Sequence, residues 1–178
     1  MKKLNLIPLL LTLFVCGGCE QLRSLTQFDL TYDETVVVSS SMSVALPFDV
    51  ATPDVETNSE SQFSVNKTQT DLIEAISLKG LKLNLKSPPT GDFSFLEAIH
   101  VFIAAEGLPE KEIAWKTDIP DTIGNELVLD VTQADVMDYI KKDKFSLRVS
   151  VTTDELLTVD HEIGIHAVLY VDAKVLGL

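Results

Sequence analysis

The chain reads as an all-β protein, an antiparallel β-sandwich interrupted by two short helices. Three observations predict this. After residue 26 the apolar residues recur with a period of two, the period of a strand with one face on a core and one toward water. The apolar runs are short. Turn residues separate them, at Pro53-Asp54, Pro88-Pro89-Thr90-Gly91-Asp92, Gly107-Leu108-Pro109, Pro120-Asp121 and Gly124-Asn125. Strands punctuated at this spacing belong to sandwiches or barrels.

In chain order, Phe28, Leu30 and Tyr32 alternate with Asp29 and Thr31 in a first strand, which Val36 to Val38 extends or follows. Met42, Val44, Leu46 and Phe48 alternate with Ser43, Ala45 and Pro47 in a second. Pro47 has no N–H for a ladder, so that strand belongs at an edge or a bulge. Residues 51 to 61 read as the most polar loop, broken only by Val55. Gln62 to Val65 is a short strand candidate. Thr70 to Ile76 reads as the first helix, with Leu72, Ile73 and Ile76 on one side.

Leu81, Leu83 and Leu85 alternate with Lys82, Asn84 and Lys86. Ile99 to Ala104 is apolar on both faces, as a central strand would be. Ile113 to Trp115 is a shorter strand. Leu127, Leu129 and Val131 alternate with Val128 and Asp130. Thr132 to Lys142 reads as the second helix: Thr132 caps it, Asp135 lies in its first turn, Val136 and Ile140 share a face, and Lys141-Lys142 complement its C-terminal dipole. Phe145, Leu147, Val149 and Val151 should point inward, with Arg148 and Ser150 toward solvent. Ile163 to Val171, apolar on both faces, is a second central strand.

The N-terminus has a different character. Lys2-Lys3 precedes an apolar run from Leu4 to Val15, then Gly17-Gly18 and Cys19. A charged start, an apolar middle and small residues before a cut form the layout of a bacterial secretory signal. The apolar run, about 12 residues, would reach only about 18 Å as a helix, against a bilayer core of about 30 Å, so a permanent membrane span is the weaker reading.

Residues 1 to 19 resemble the signal of a bacterial lipoprotein. Gly17, Gly18 and Cys19 match the family's lipobox; Cys16 stands where Leu or Val is usual. The resemblance implies that residues 1–18 are a signal peptide, that Cys19 is cleaved at and lipidated, that 19–26 is a short membrane tether, and that 27–178 is the β-sandwich domain. The expected location is the cell envelope, anchored by lipid, with Glu20 compatible with the outer membrane and either leaflet open. Ordinary secretion and an uncleaved anchor are the alternatives. Glu20 to Thr26 spans only about 20 Å even when extended, so the domain would sit close to its membrane.

Charge narrows the partners. The chain carries 14 Lys and Arg against 27 Asp and Glu, a net charge of −13. Loss of the signal with Lys2 and Lys3 leaves 12 against 27 and a mature charge of −15. Such a surface repels nucleic acid and anionic lipid heads. The expected partners are the membrane, through lipid on Cys19, and an envelope protein.

Chemistry-bearing motifs are sparse. Cys16-Gly17-Gly18-Cys19 is a C-x-x-C without the second ligand pair of a zinc site or the βαβ pattern of a redox site. His161 and His166 are five apart, which on a strand points them to opposite faces, so one ion would not bind both. His100 lies alone in an apolar run. Asp118, Asp121 and Asn125 in one loop, and Asp154, Glu155 and Asp160 in another, are calcium candidates without the EF-hand pattern. There is no G-x-S-x-G elbow and no phosphate-binding glycine loop. Lys141-Lys142-Asp143-Lys144 is the one basic cluster, and a helix end explains it. Trp115 is the single tryptophan, too few aromatics for a carbohydrate platform.

The expectation is a non-catalytic envelope lipoprotein with no cofactor and a binding or structural role. The body resembles small uncharacterised β-sandwich envelope lipoproteins, and at the level of pattern looks like immunoglobulin-type or desiccation-protein sandwiches. Two alternatives stand beside it. One is a fimbria-like or assembly subunit that donates Val168 to Leu178 by strand exchange. The other is a hydrolase with paired carboxylates.

Overall fold

The computed structural model describes residues 26–41 and 46–174. The fold is the expected all-β antiparallel sandwich with two short helices. One sheet holds β1 (Gln27–Val38), β4 (Ile73–Ser87), β7 (Glu126–Val128) and β10 (His161–Ala173), in the order β1-β10-β4-β7. The other holds β2 (Phe48–Ala51), β5 (Leu96–Ala104), β6 (Lys111–Thr117), β8 (Asp130–Val131) and β9 (Lys144–Thr153), in the order β2-β9-β5-β6-β8. The two-residue strand β3 (Val55–Glu56) joins β9 beyond β2. The helices are α1 (Ser59–Val65) and α2 (Met137–Ile140), with a single 3₁₀ turn at Thr70–Leu72.

Where local pattern and pairing agree, the expected strands form. Phe145, Leu147, Val149 and Val151 are all buried along β9, between β2 and β5. Arg148 and Ser150 face outward, half-covered by neighbours. The runs apolar on both faces are central: β5 lies between β9 and β6, and β10 between β1 and β4. Only one face of each is fully buried, because among the described residues no third layer covers the sheets. Pro47 falls just before β2, an edge strand, as its missing N–H requires.

Four expectations are corrected. The region Thr70 to Ile76 is no helix beyond its 3₁₀ turn; β4 begins at Ile73. Its buried residues Ile73, Ile76, Leu78, Leu81, Leu83 and Leu85 mix spacings of three and two. The threes coincide with register shifts against β10, between Val168/Leu169 and Asp172/Ala173. A β-bulge adds one residue to a period of two, and a three-residue step imitates a helix.

Gln62 to Val65 is helical, not a strand: Phe63 is fully buried while Val65 is 77% exposed. Leu127 to Val131 is two strands, since Lys82 pairs with Val128 in one sheet and Trp115 with Asp130 in the other. Finally, the expected helix over Thr132 to Lys142 contracts to α2. Asp135 Oδ1 accepts from the Ile76 and Met137 amides at 3.2 and 2.9 Å, so the first turn is tied to β4 instead of extending the helix. Of the expected second strand, residues 42–45 lie outside the described residues, and Leu46 is exposed before β2 begins.

Candidate binding face

The outer face of the second sheet gathers polar and aromatic side chains that the chain spaces far apart. Cross-strand partners share a face. Asp49, Ser150, His100, Trp115 and Asp130 therefore form one row across β2, β9, β5, β6 and β8. Ala51, Arg148, Phe102 and Glu112 form the next.

Arg148 is the centre of this face. Its guanidinium lies 4.0 Å from the Phe102 ring centroid. It donates to Asp49 Oδ1 at 2.7 Å and to both Glu110 oxygens at 2.8 and 2.6 Å. The bidentate bond holds the Glu110 carboxyl below the ordinary glutamate range, and raises the guanidinium's own proton affinity. Pairs this exposed contribute about 0–1 kcal/mol each; their main effect is to hold a flat, amphipathic surface in one conformation. Beside them, His100 Nδ1 and Glu112 Oε1 are 2.6 Å apart.

The sequence candidates fall as follows. Cys16 and Cys19 lie outside the described residues. His161 is buried against Phe95, ring centroids 4.5 Å apart. His166 faces out and meets Asp33 Oδ1 at 2.6 Å, so the two histidines do occupy opposite faces. His100 is on an outer face, not in the core. Asp160 accepts from the Ser40 amide and hydroxyl at 2.8 and 3.0 Å. Among the described residues no three His, Cys, Asp or Glu side chains converge on a metal position. Lys141 caps α2, its Nζ on the Ile73 carbonyl at 3.4 Å.

Two catalytic arrangements were legible only in the structure, and neither is complete. Ser150 pairs with His100 across the strands, and Glu112 Oε1 lies 2.6 Å from His100 Nδ1, a Ser-His-Glu order. An oxyanion site would need free backbone N–H groups, but β5 and β9 are both flanked by strands that take theirs. The carboxylates Asp49 and Glu110 converge, yet on a guanidinium. Arg148 lowers the Glu110 carboxyl, the reverse of the raised acid a paired-carboxylate hydrolase needs. Strand donation by Val168 to Leu178 would also have to break pairing on two sides, since β10 is paired with β1 through Asp172 and with β4 through Ala173.

One inward carboxylate stands apart. On β1 the inward set includes Tyr32, Glu34 and Val36. Tyr32 donates its hydroxyl to the Thr57 carbonyl at 3.1 Å, and burial pushes its pKa up to about 12. Glu34 borders an apolar gap lined by Phe145, Ile165 and Ala167. Burial, with a smaller contribution from Asp33, raises its carboxyl above the ordinary value of 4.5. Because β1 is a long edge strand, an inward charge there hinders edge-to-edge pairing with another chain.

The linkage sign follows from that raised value. A carboxyl that ionises less readily when folded stabilises below the unfolded value, and that contribution is lost as pH rises through the folded value. Glu34→Gln should therefore raise the urea midpoint at pH 7 and leave it unchanged at pH 3. A gain that is larger at pH 3 than at pH 7 would contradict the assignment.

No family model matches the chain, and no curated protein matches it. Among solved structures it is similar to turnip yellow mosaic virus, with 13% identity, 85% of this chain and 98% of that chain covered, and a TM-score of 0.28. It is similar also to Desmodium yellow mottle tymovirus, with 10% identity, 85% of each chain covered and a TM-score of 0.28. A likeness at that score carries no argument about function.

Proposed function

We propose that the chain is a lipid-anchored protein of the bacterial cell envelope, held to the outer membrane through Cys19, with a non-catalytic binding role. The observation that carries this reading is the order Lys2-Lys3, apolar Leu4 to Val15, Gly17-Gly18 and Cys19. A cysteine directly after such a signal is positioned for cleavage and acylation. The start of β1 at Gln27 agrees with a short tether over residues 19–26. The outer face of the second sheet, with Arg148 clamped over Phe102, supplies a preorganised surface for a protein or envelope component.

Labelled palmitate supplied to the producing bacterium tests the anchor. The wild-type chain should incorporate label and partition with membranes. Cys19→Ser should lose essentially all of it. Equal labelling of the two would overturn the reading.

A further inference from the structure

We propose that the loop pole opposite the tether is a docking surface for a cationic amphipathic segment of another protein. β1 runs from Gln27, at the tether, to Val38 at the far pole. The described residues of four connections meet there: 39–41 with 46–47, 88–95, 118–125 and 154–160. They are stitched together. Asp160 holds the Ser40 amide at 2.8 Å. The Asp154 amide reaches the Phe95 carbonyl at 3.3 Å, and the Phe93 amide the Gly124 carbonyl at 3.1 Å.

Apolar exposure concentrates at this pole. Of the six large hydrophobic side chains exposed among the described residues, four are here: Val37 at 51%, Leu46 at 64%, Leu156 at 73% and Val159 at 49%. A single exposed apolar residue is ordinary. Four on adjoining loops and the strand end beneath them, two of them more than two-thirds or nearly two-thirds exposed, make a patch that a partner would cover.

Charge states what kind of partner. The described residues of these loops carry Asp92, Asp118, Asp121, Asp154, Glu155 and Asp160, all exposed, and no Lys, Arg or His. The overall acid excess does not account for this, because the connections of the tether pole include Lys67, Lys141 and Lys142. Loops that expose apolar groups and acids without a cation of their own attract a surface that alternates cations with apolar groups, and they repel acidic proteins and anionic bilayers.

The acids of these loops oppose the anchoring bilayer, and geometry bars an inverted, end-on approach to it, a point that rests on the lipid reading. β1 spans about 36 Å at about 3.3 Å per residue. Residues 19–26 extend to about 27 Å. The far pole therefore cannot stand inverted, end-on, against the membrane that holds Cys19.

The full chain carrying Cys19→Ser lacks the lipid, so the test is independent of the anchor, whose failure the palmitate experiment reads separately. The probe is a labelled synthetic peptide of alternating Lys and Leu, with a Glu-Leu peptide as control. The Lys-Leu peptide should bind and weaken with salt, and the Glu-Leu peptide should not bind. Adding Leu156→Ser should weaken binding about tenfold, as loss of a central apolar contact does. Asp154→Asn with Glu155→Gln should weaken it and flatten the salt dependence. Glu60→Gln with Asp71→Asn, exposed acids at the tether pole, should change it less than about twofold. Equal losses from the two poles, or no loss with Leu156→Ser, would overturn the proposal. So would binding to phosphatidylglycerol vesicles, or self-association abolished by Leu156→Ser, which would make a bilayer or a second copy the occupant.

Discussion

Leu147→Ala lowers the unfolding free energy by about 3–5 kcal/mol, the upper part of the range for buried Leu→Ala changes. Leu147 is 4% exposed on β9. It borders a cavity of about 20 Å³, also lined by Leu78, Ile103, Ile113, Ile165 and Leu169. Its lining is almost wholly apolar, with Glu34 and Tyr32 at its border. Truncation adds the lost side-chain volume to a void already present. The backbone cannot move to close it, because the Leu147 amide donates to Thr52 Oγ1 at 2.9 Å and its carbonyl accepts from the Thr52 amide at 2.8 Å. Ser150→Ala, on the other face of the same strand, costs about 0.5 kcal/mol or less. Urea melts of the two variants check this. Coincident midpoints would mean that the two faces of β9 are energetically alike, which the burial pattern denies.

Phe63→Ala costs about 3–5 kcal/mol, the usual range for a fully buried Phe. Helices this short do not persist on propensity alone. α1 has seven residues, no side-chain N-cap, and a left-handed Asn58 before it at φ 47°. Phe63 is its one buried apolar residue, set edge-on to Phe28 with ring centroids 6.4 Å apart. The Phe63 carbonyl also receives the Thr68 amide at 2.9 Å, so the ring fixes the chain from α1 into the following turn. Its loss should lower the melting midpoint and speed proteolysis within residues 57–72. Val65→Ala, at a side chain 77% exposed, should do neither. If Val65→Ala were the more damaging change, α1 would be anchored by its other face.

The contrast between Phe63 and Val65 also shows how far the chain can be read by pattern. Both are apolar and two apart, which reads as a strand; the side chains take opposite environments because the backbone is helical. The three-residue step Ile73–Ile76 reads as helix because the bulge against β10 is invisible until β10 is in place. Leu127 and Leu129 are both buried, as their alternation predicts. That they sit at a crossing from one sheet to the other depends on β4 and β6, which lie elsewhere in the chain.

The candidate surfaces were less legible still. Arg148 reads as a solvent-facing residue, and its clamp joins Asp49 and Glu110, 99 and 38 residues away. The pole opposite the tether draws its acids from three loops spread between residues 88 and 160. No local signal marks either one.

By itself, then, the sequence determined what depends on near neighbours: the all-β class, the faces of β9, the central runs of β5 and β10, the opposite facing of His161 and His166, and the expectation attached to Cys19, which a linear order of residue types carries without any fold. Alternation along a strand is a local property, set by a backbone that turns each side chain away from the last. Only the tertiary structure decided the bulges, the sheet crossing at Leu129, the helix around Phe63 and the companions of Arg148. Each of those depends on which distant strand lies alongside, and pairing is chosen by the burial of the whole core rather than by the residues in any one segment.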